Sequence, residues 1–195
     1  MFSCFGCMKK LMWGEGYENA PMEVAVQPSV EIDTGNIGTD VVVVKQGKRI
    51  CGTGGALACA PIAQDKAYFE IKIQSSGVWA VGLATKLYSP QDQLGHCRES
   101  WALQQGGELM HNGAEIGKVS EGIEEGDVVG CSYDHVQLCF YRNGSLLNSF
   151  ITGIKGSVYP AFYVDDGATI DTIFTCFNHP PPAGFSEVMI EQDIL

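Results

Sequence analysis

A chain of 195 residues with 45% hydrophobic content is long enough to bury one sizeable core, and this excludes both a disordered chain and two large domains. The formal net charge of −11, from 12 Lys and Arg against 23 Asp and Glu, excludes nucleic acid as a partner and favours a basic protein segment, because no basic cluster exceeds pairs such as Lys9-Lys10 and Lys48-Arg49. No apolar run approaches the roughly 18 residues of a membrane span, and the 24 glycines point to many turns and therefore many short strands.

Residues 1–20, MFSCFGCMKKLMWGEGYENA, read as a flexible leader to a single domain over 21–195. Its apolar part is broken by Lys9 and Lys10, and no small-residue cleavage site follows, so it is not a secretory signal. Phe at position 2 excludes N-myristoylation. Cys4 and Cys7, beside Phe2, Phe5, Leu11 and the lysine pair, are candidates for S-acylation. As a Cys-x-x-Cys pair they supply only half of a zinc site, and the sequence holds no second close pair. The eight cysteines, at 4, 7, 51, 59, 97, 131, 139 and 176, show no disulfide framework. The expectation is a cytoplasmic protein, tethered to a membrane if the leader is acylated.

VEIDTGNIGTDVVVVKQGKRI, Val30 to Ile50, predicts short strands broken by Gly35, Gly38 and Gly47. CGTGGALACAP resembles a Gly-rich phosphate loop, yet it lacks the Walker lysine and precedes Pro61 instead of a long helix; it is read as a loop of turn glycines. AYFEIKIQ alternates, with Phe69, Ile71 and Ile73 on one face and Tyr68, Glu70, Lys72 and Gln74 on the other. Ser75-Ser76-Gly77 turns the chain into VWAVGLAT, where Trp79, Val81 and Leu83 continue the pattern. Lys86 to Glu99 forms a long polar connection of the kind that carries function. His96 and Cys97 lie in it, but neighbours in an extended chain point to opposite sides, and there is no Gly-x-Ser-x-Gly elbow. No catalytic residue and no enzyme activity are therefore assigned. Asn112-Gly113 marks a tight turn after SWALQQGGELMH.

GDVVGCSYDHVQLCFYRNGSLLNSF predicts a three-stranded meander. A two-residue turn at Asp134-His135 pairs Tyr133 with Val136, Cys131 with Leu138 and Val129 with Phe140, all apolar and on one face. Asn143-Gly144-Ser145 fits the acceptor pattern for N-linked sugar, and Asn143-Gly144 is also the strongest short signal for a type I′ hairpin. Without secretion the hairpin reading stands, pairing Phe140 with Leu147 and Tyr141 with Leu146. Cys131 and Cys139 then face opposite ways and form no disulfide. Two further strands flank Asp165-Asp166-Gly167, which reads as a turn, because calcium needs more oxygens than the sequence supplies nearby. HPPPAGF is a stiff exit, and SEVMIEQDIL adds a last strand or lies over the sheet. No metal or cofactor is expected.

AYFEIKIQSSGVWAVGLAT, EGDVVGCSYDHVQLCFYRNG and GSVYPAFYVDDGATI, in that order, resemble the SPRY domain over about Val30 to Phe185. The resemblance implies an all-β, bent antiparallel two-sheet β-sandwich that binds proteins or peptides through loops at one edge. The extended PRY segment of longer relatives is absent or very short, and no RING, coiled coil or SOCS box is attached, so a ubiquitin-ligase role does not carry over. Thr39, Asp40, Tyr88, Gln93, Arg98, Trp101 and Asp165 are the candidate partner-binding residues, with Trp101 the weakest because it fits a core-facing strand position. A lectin-like sugar binder and a small Cys-dependent hydrolase are the competing readings.

Overall fold

Fourteen strands follow one another within residues 29–190, the part of the chain that the computed structural model describes, and no helix forms among these residues. They are β1 (Ile32–Ile37), β2 (Asp40–Val44), β3 (Arg49–Ala58), β4 (Ala67–Ser75), β5 (Val78–Thr85), β6 (Ser100–Gln104), β7 (Glu108–His111), β8 (Ala114–Lys118), β9 (Val128–Tyr133), β10 (Gln137–Arg142), β11 (Ser145–Thr152), β12 (Val158–Asp165), β13 (Thr169–Ile173) and β14 (Ser186–Glu187). Cys4, Cys7 and the rest of the leader lie outside the described residues.

The strands make two sheets that share β3. In the first, the order is β11-β10-β9-β4-β13-β3-β2; in the second, β3 continues into β12-β5-β6-β7-β8, with β1 on its other side. All pairings are antiparallel except the short β14, which runs parallel to the start of β4. Arg49 and Ile50 pair with β13, whereas Gly54 to Leu57 pair with β12, so the strand changes sheets between them. CGTGGALAC is therefore a bent strand and not a loop. Gly52 sits at φ 93°, where a Cβ would lie 2.1 Å from the carbonyl of Asp40, so only glycine permits the bend. Gly35 also lies within a strand, β1, while Gly38 and Gly47 fall between strands.

The alternation read from the sequence sorts the two faces. Phe69, Ile71 and Ile73 of β4 meet Trp79, Val81 and Leu83 of β5 in one core. Phe69 and Phe162 touch edge to face across the sandwich, with ring centroids 6.0 Å apart. The opposite face of β4 is covered by the segment after β13. Tyr68 packs against Phe177, and the wholly buried Glu70 accepts hydrogen bonds from Tyr68 Oη, the N–H groups of Asn178 and His179, and Asn178 Nδ2. A buried carboxylate is tolerated there because each oxygen has donors.

The meander β9–β10–β11 forms as expected, with one correction of register. Tyr133 pairs with Leu138, Cys131 with Phe140 and Val129 with Arg142, because the turn is centred on His135-Val136. Asp134 Oδ1 accepts from the N–H of Val136 and of Gln137 at 3.0 and 2.8 Å, an Asx turn that moves the tip by one residue. Val136 is left 69% exposed at the tip. A second shift lies in β10–β11: Tyr141 pairs with Leu146 as expected, but Cys139 pairs with Phe150 across an irregularity that removes the Phe140–Leu147 pairing. Asn143 and Gly144 have φ of 49° and 82°, the two positive values a type I′ turn requires.

Candidate functional site at the corner between the sheets

Three chain segments change sheets at one corner. β3 bends there, β4 passes through Ser76-Gly77 into β5, and β12 passes through Asp166-Gly167 into β13. The last two turns abut: Gly77 has φ 147°, and a Cβ on it would lie 2.4 Å from the backbone nitrogen of Ala168. The corner is therefore rigid, and the side chains on it are held by backbone from distant parts of the sequence.

Asp165, at the end of β12, accepts through Oδ1 from Thr53 Oγ1 in the bend of β3 and from the N–H of Asp166, each at 2.8 Å. The Asp166 N–H first, and the Thr53 hydroxyl second, hold the Asp165 carboxyl below its ordinary value against the opposing effect of burial. It stays charged throughout the neutral range. Asp40 opens β2 directly opposite Thr53. The Thr39 N–H reaches Gln91 Oε1 at 3.4 Å. Thr39, Asp40, Thr53, Gln91 and Asp165 thus gather at one edge, with Asp166 exposed beside them.

Gln91 arrives there on the long connection, residues 86–99, which lies as a strap over the outer face of the second sheet. The outer positions beneath it are small: Ala80, Ala84, Ala102 and Ala161. Gly55 leaves room for the strap, since a Cβ there would lie 2.3 Å from Tyr88 Oη. Tyr88 and Leu94 fill the gap with Leu57 and Tyr163 as a second, smaller core. Tyr88 Oη donates to the carbonyl of Asp92 at 2.6 Å, and the Gly55 N–H donates to the carbonyl of Pro90 at 2.7 Å. Burial first, and neighbouring Cys97 and Tyr163 second, push the Tyr88 phenol well above its ordinary range, so it remains a donor.

The seven candidate residues do not form one surface. Thr39, Asp40 and Asp165 meet at the corner, and Gln93 is half-buried in the strap. Tyr88, only 2% exposed, is a packing anchor and not an exposed contact. Arg98 and Trp101 stand at the far end of the second sheet. The Thr85 N–H donates to Glu99 O there, whereas Asp165 pairs with Val78 at the start of β5, and the length of β5 separates the two ends by about 23 Å. Trp101 is 5% exposed and stacks on His111 with ring planes 6° apart and centroids at 4.8 Å. Arg98 is exposed and ion-paired to Glu99 at 3.1 Å. Cys97 Sγ lies 3.3 Å from Ser100 Oγ, and the exposed His96 is not among its hydrogen-bond partners. Thr53 and Gln91 were not legible as site residues, because a bend in β3 and the path of the strap are needed to bring them to Asp165 and Thr39. Among the described residues no group of three or more His, Cys, Asp or Glu is placed to hold a metal ion.

The fold is that of a SPRY sandwich. A family model for the SPRY domain matches residues 66–177, and the chain belongs to that family. It is 45% identical over 197 aligned residues to SPRY domain-containing protein 7 of Bos taurus, covering 100% of this chain and 97% of that one. The protein of the same name in Homo sapiens is 49% identical over 170 residues, covering 86% of this chain and 87% of the relative. Among solved structures, the SPRY domain of human HERC1 superimposes with a TM-score of 0.64 at 15% identity, covering 75% of this chain and 99% of that one; at this identity the likeness is one of fold. SPRY domains generally mediate protein–protein interaction.

Proposed function

We propose that this chain is a non-catalytic adaptor that binds a protein or peptide through the corner formed by Thr39, Asp40, Thr53, Gln91 and Asp165. The observation that carries the reading is the convergence of three distant segments on one rigid, acidic edge, in a family whose members bind proteins or peptides. Asp40 and Asp166 are exposed and Asp165 is held ionised, which suits a partner segment bearing Lys or Arg and gives the contact a salt-sensitive approach. The strap supports the edge from behind, so it is presented without the entropy loss of ordering a loop on binding. Six described cysteines, Cys51, Cys59, Cys97, Cys131, Cys139 and Cys176, are free thiols, which supports a reducing, cytoplasmic setting. Acylation of Cys4 and Cys7 belongs to the same proposal, as a means of holding the adaptor at a membrane.

Affinity capture compares the wild type with Asp40→Ala/Asp165→Ala and with Arg98→Ala at the far end. The expected result is loss of specific partners in the corner variant alone. Partners that survive in the corner variant and vanish with Arg98→Ala would move the binding surface to the other end of the sheet.

A further inference from the structure

Positive charge is scarce in this chain, and the fold brings four of its cationic side chains together. Lys45 and Lys48 flank the β2–β3 turn, Arg49 opens β3 and Lys72 stands on β4. Arg49 pairs with Asp171 and Asp171 with Lys72 across three neighbouring strands, so these side chains share the outer face of the first sheet. Lys45, Lys48 and Lys72 line one shallow hollow of about 560 Å3, with the amides of Gln74 and Asn178 on its wall. No sequence cluster announces this, because the lysines come from two separate stretches of chain.

The nearby carboxylates leave part of that charge free. Asp171 is taken by Arg49, through both Nε and Nη2, and by Lys45 at 3.3 Å. Glu70 is buried and occupied by its four donors. Glu31 lies against Gly47 of the turn. Lys48 and Lys72 have no carboxylate within ion-pair distance among the described residues. Beside the lysines, Val42 and Val44 are 52% and 40% exposed on the same face of β2, while Val41 and Val43 turn inward. Ser29 and Val30 line an adjoining hollow with Lys48.

We propose that the basic hollow and its flanking valines bind the phosphate headgroups of an anionic lipid bilayer, which the protein touches peripherally with this face. Clustered lysines beside exposed aliphatic side chains are the combination that holds a protein at such a surface. The net charge of −11 does not oppose this contact, because the charges are segregated. Asp40 and Lys45 stand at opposite ends of β2, roughly 17 Å apart. The basic pole meets the bilayer and the acidic corner is left free for a partner. The site stands independently of the corner, since it rests on different residues.

The test uses the full chain purified from bacteria, without acyl groups, sedimented with vesicles of phosphatidylcholine alone or of phosphatidylcholine and phosphatidylserine in a two-to-one mixture. Lys48→Gln/Lys72→Gln removes two ammonium groups of the hollow and leaves the ion pairs of Asp171 intact; an unchanged urea midpoint shows that it folds. Wild type binds the phosphatidylserine vesicles in a salt-sensitive way, and the variant binds about 25-fold more weakly, at about fivefold per lysine. Equal binding by wild type and variant, or no preference for phosphatidylserine, overturns the proposal. So does binding lost in Lys9→Gln/Lys10→Gln and kept in Lys48→Gln/Lys72→Gln, which assigns it to the leader. Retention of the wild type and not the Lys48→Gln/Lys72→Gln variant on a phosphoserine-peptide column, without vesicle binding, identifies a phosphopeptide receptor and equally overturns the lipid assignment.

Discussion

Asn143 holds the β10–β11 turn against the loop before β9. Its N–H donates to Val128 O and its Oδ1 accepts from the Val128 N–H, both at 2.9 Å, while Nδ2 donates to Asp127 Oδ1 at 2.7 Å. The side-chain nitrogen that a sugar would modify is thus committed to the fold. Gly144 follows at φ 82°, and a Cβ on it would lie 3.0 Å from Cδ2 of His179. Gly144→Val should lower stability by about 1–2 kcal/mol through backbone strain, read as a shift of the urea midpoint. Asp127 titrates with a signature of its own. Burial opposes its charge, but the Glu124 N–H, Asn143 and Arg142 outweigh it and hold the carboxyl below its ordinary value of 3.8. A depressed carboxylate contributes stability that is complete above the unfolded value and is lost as pH falls through the folded one. The stability gap between wild type and Asp127→Asn should therefore be full near neutrality and close below about pH 4, as urea melts across pH will show.

At the scale of elements, the strap over the second sheet is fixed by Tyr88 and Leu94 against a floor of alanines and Gly55. Tyr88→Ala should cost about 3 kcal/mol, because it empties the centre of the small core shared with Leu57, Leu94 and Tyr163. Tyr88→Phe keeps the ring, removes the bond to Asp92 O, and should cost about 1 kcal/mol. Thermal or urea melts separate the two. The alternation in AYFEIKIQ and VWAVGLAT predicted which faces of β4 and β5 enter the core, because the pleat alone fixes that. The β9–β10 register was missed by two residues and the core face was still right, since a shift by an even number keeps each side chain on its side. What displaced it was the carboxylate of Asp134 capturing two backbone N–H groups, an Asx turn that the Asp-His dipeptide does not announce against a plain two-residue turn. CGTGGALAC was misread as a loop for a related reason: its glycines serve a bend inside a strand, and only the close approach of β2 shows why.

For the molecule as a whole, the family and the sandwich were legible from ordered motifs, and the site only in part. Thr39, Asp40 and Asp165 lie together at the corner, but chemical type grouped them with Tyr88, Arg98 and Trp101, which the fold sends to the interior or to the far end. Distance along the chain carries no information about a corner where three strands exchange sheets, so Thr53 and Gln91 stayed hidden. The same folding separates the charges, with Asp40, Asp165 and Asp166 at one pole and Lys45, Lys48 and Lys72 at another. Site-directed crosslinking is the most direct test of the proposed partner binding at the acidic corner. A photoreactive residue placed at Gln91, on the strap tip, should crosslink the captured partner, and one placed at Ile116, exposed on β8 at the remote edge of the second sheet, should not. A partner crosslinked from Ile116 and not from Gln91 would contradict it.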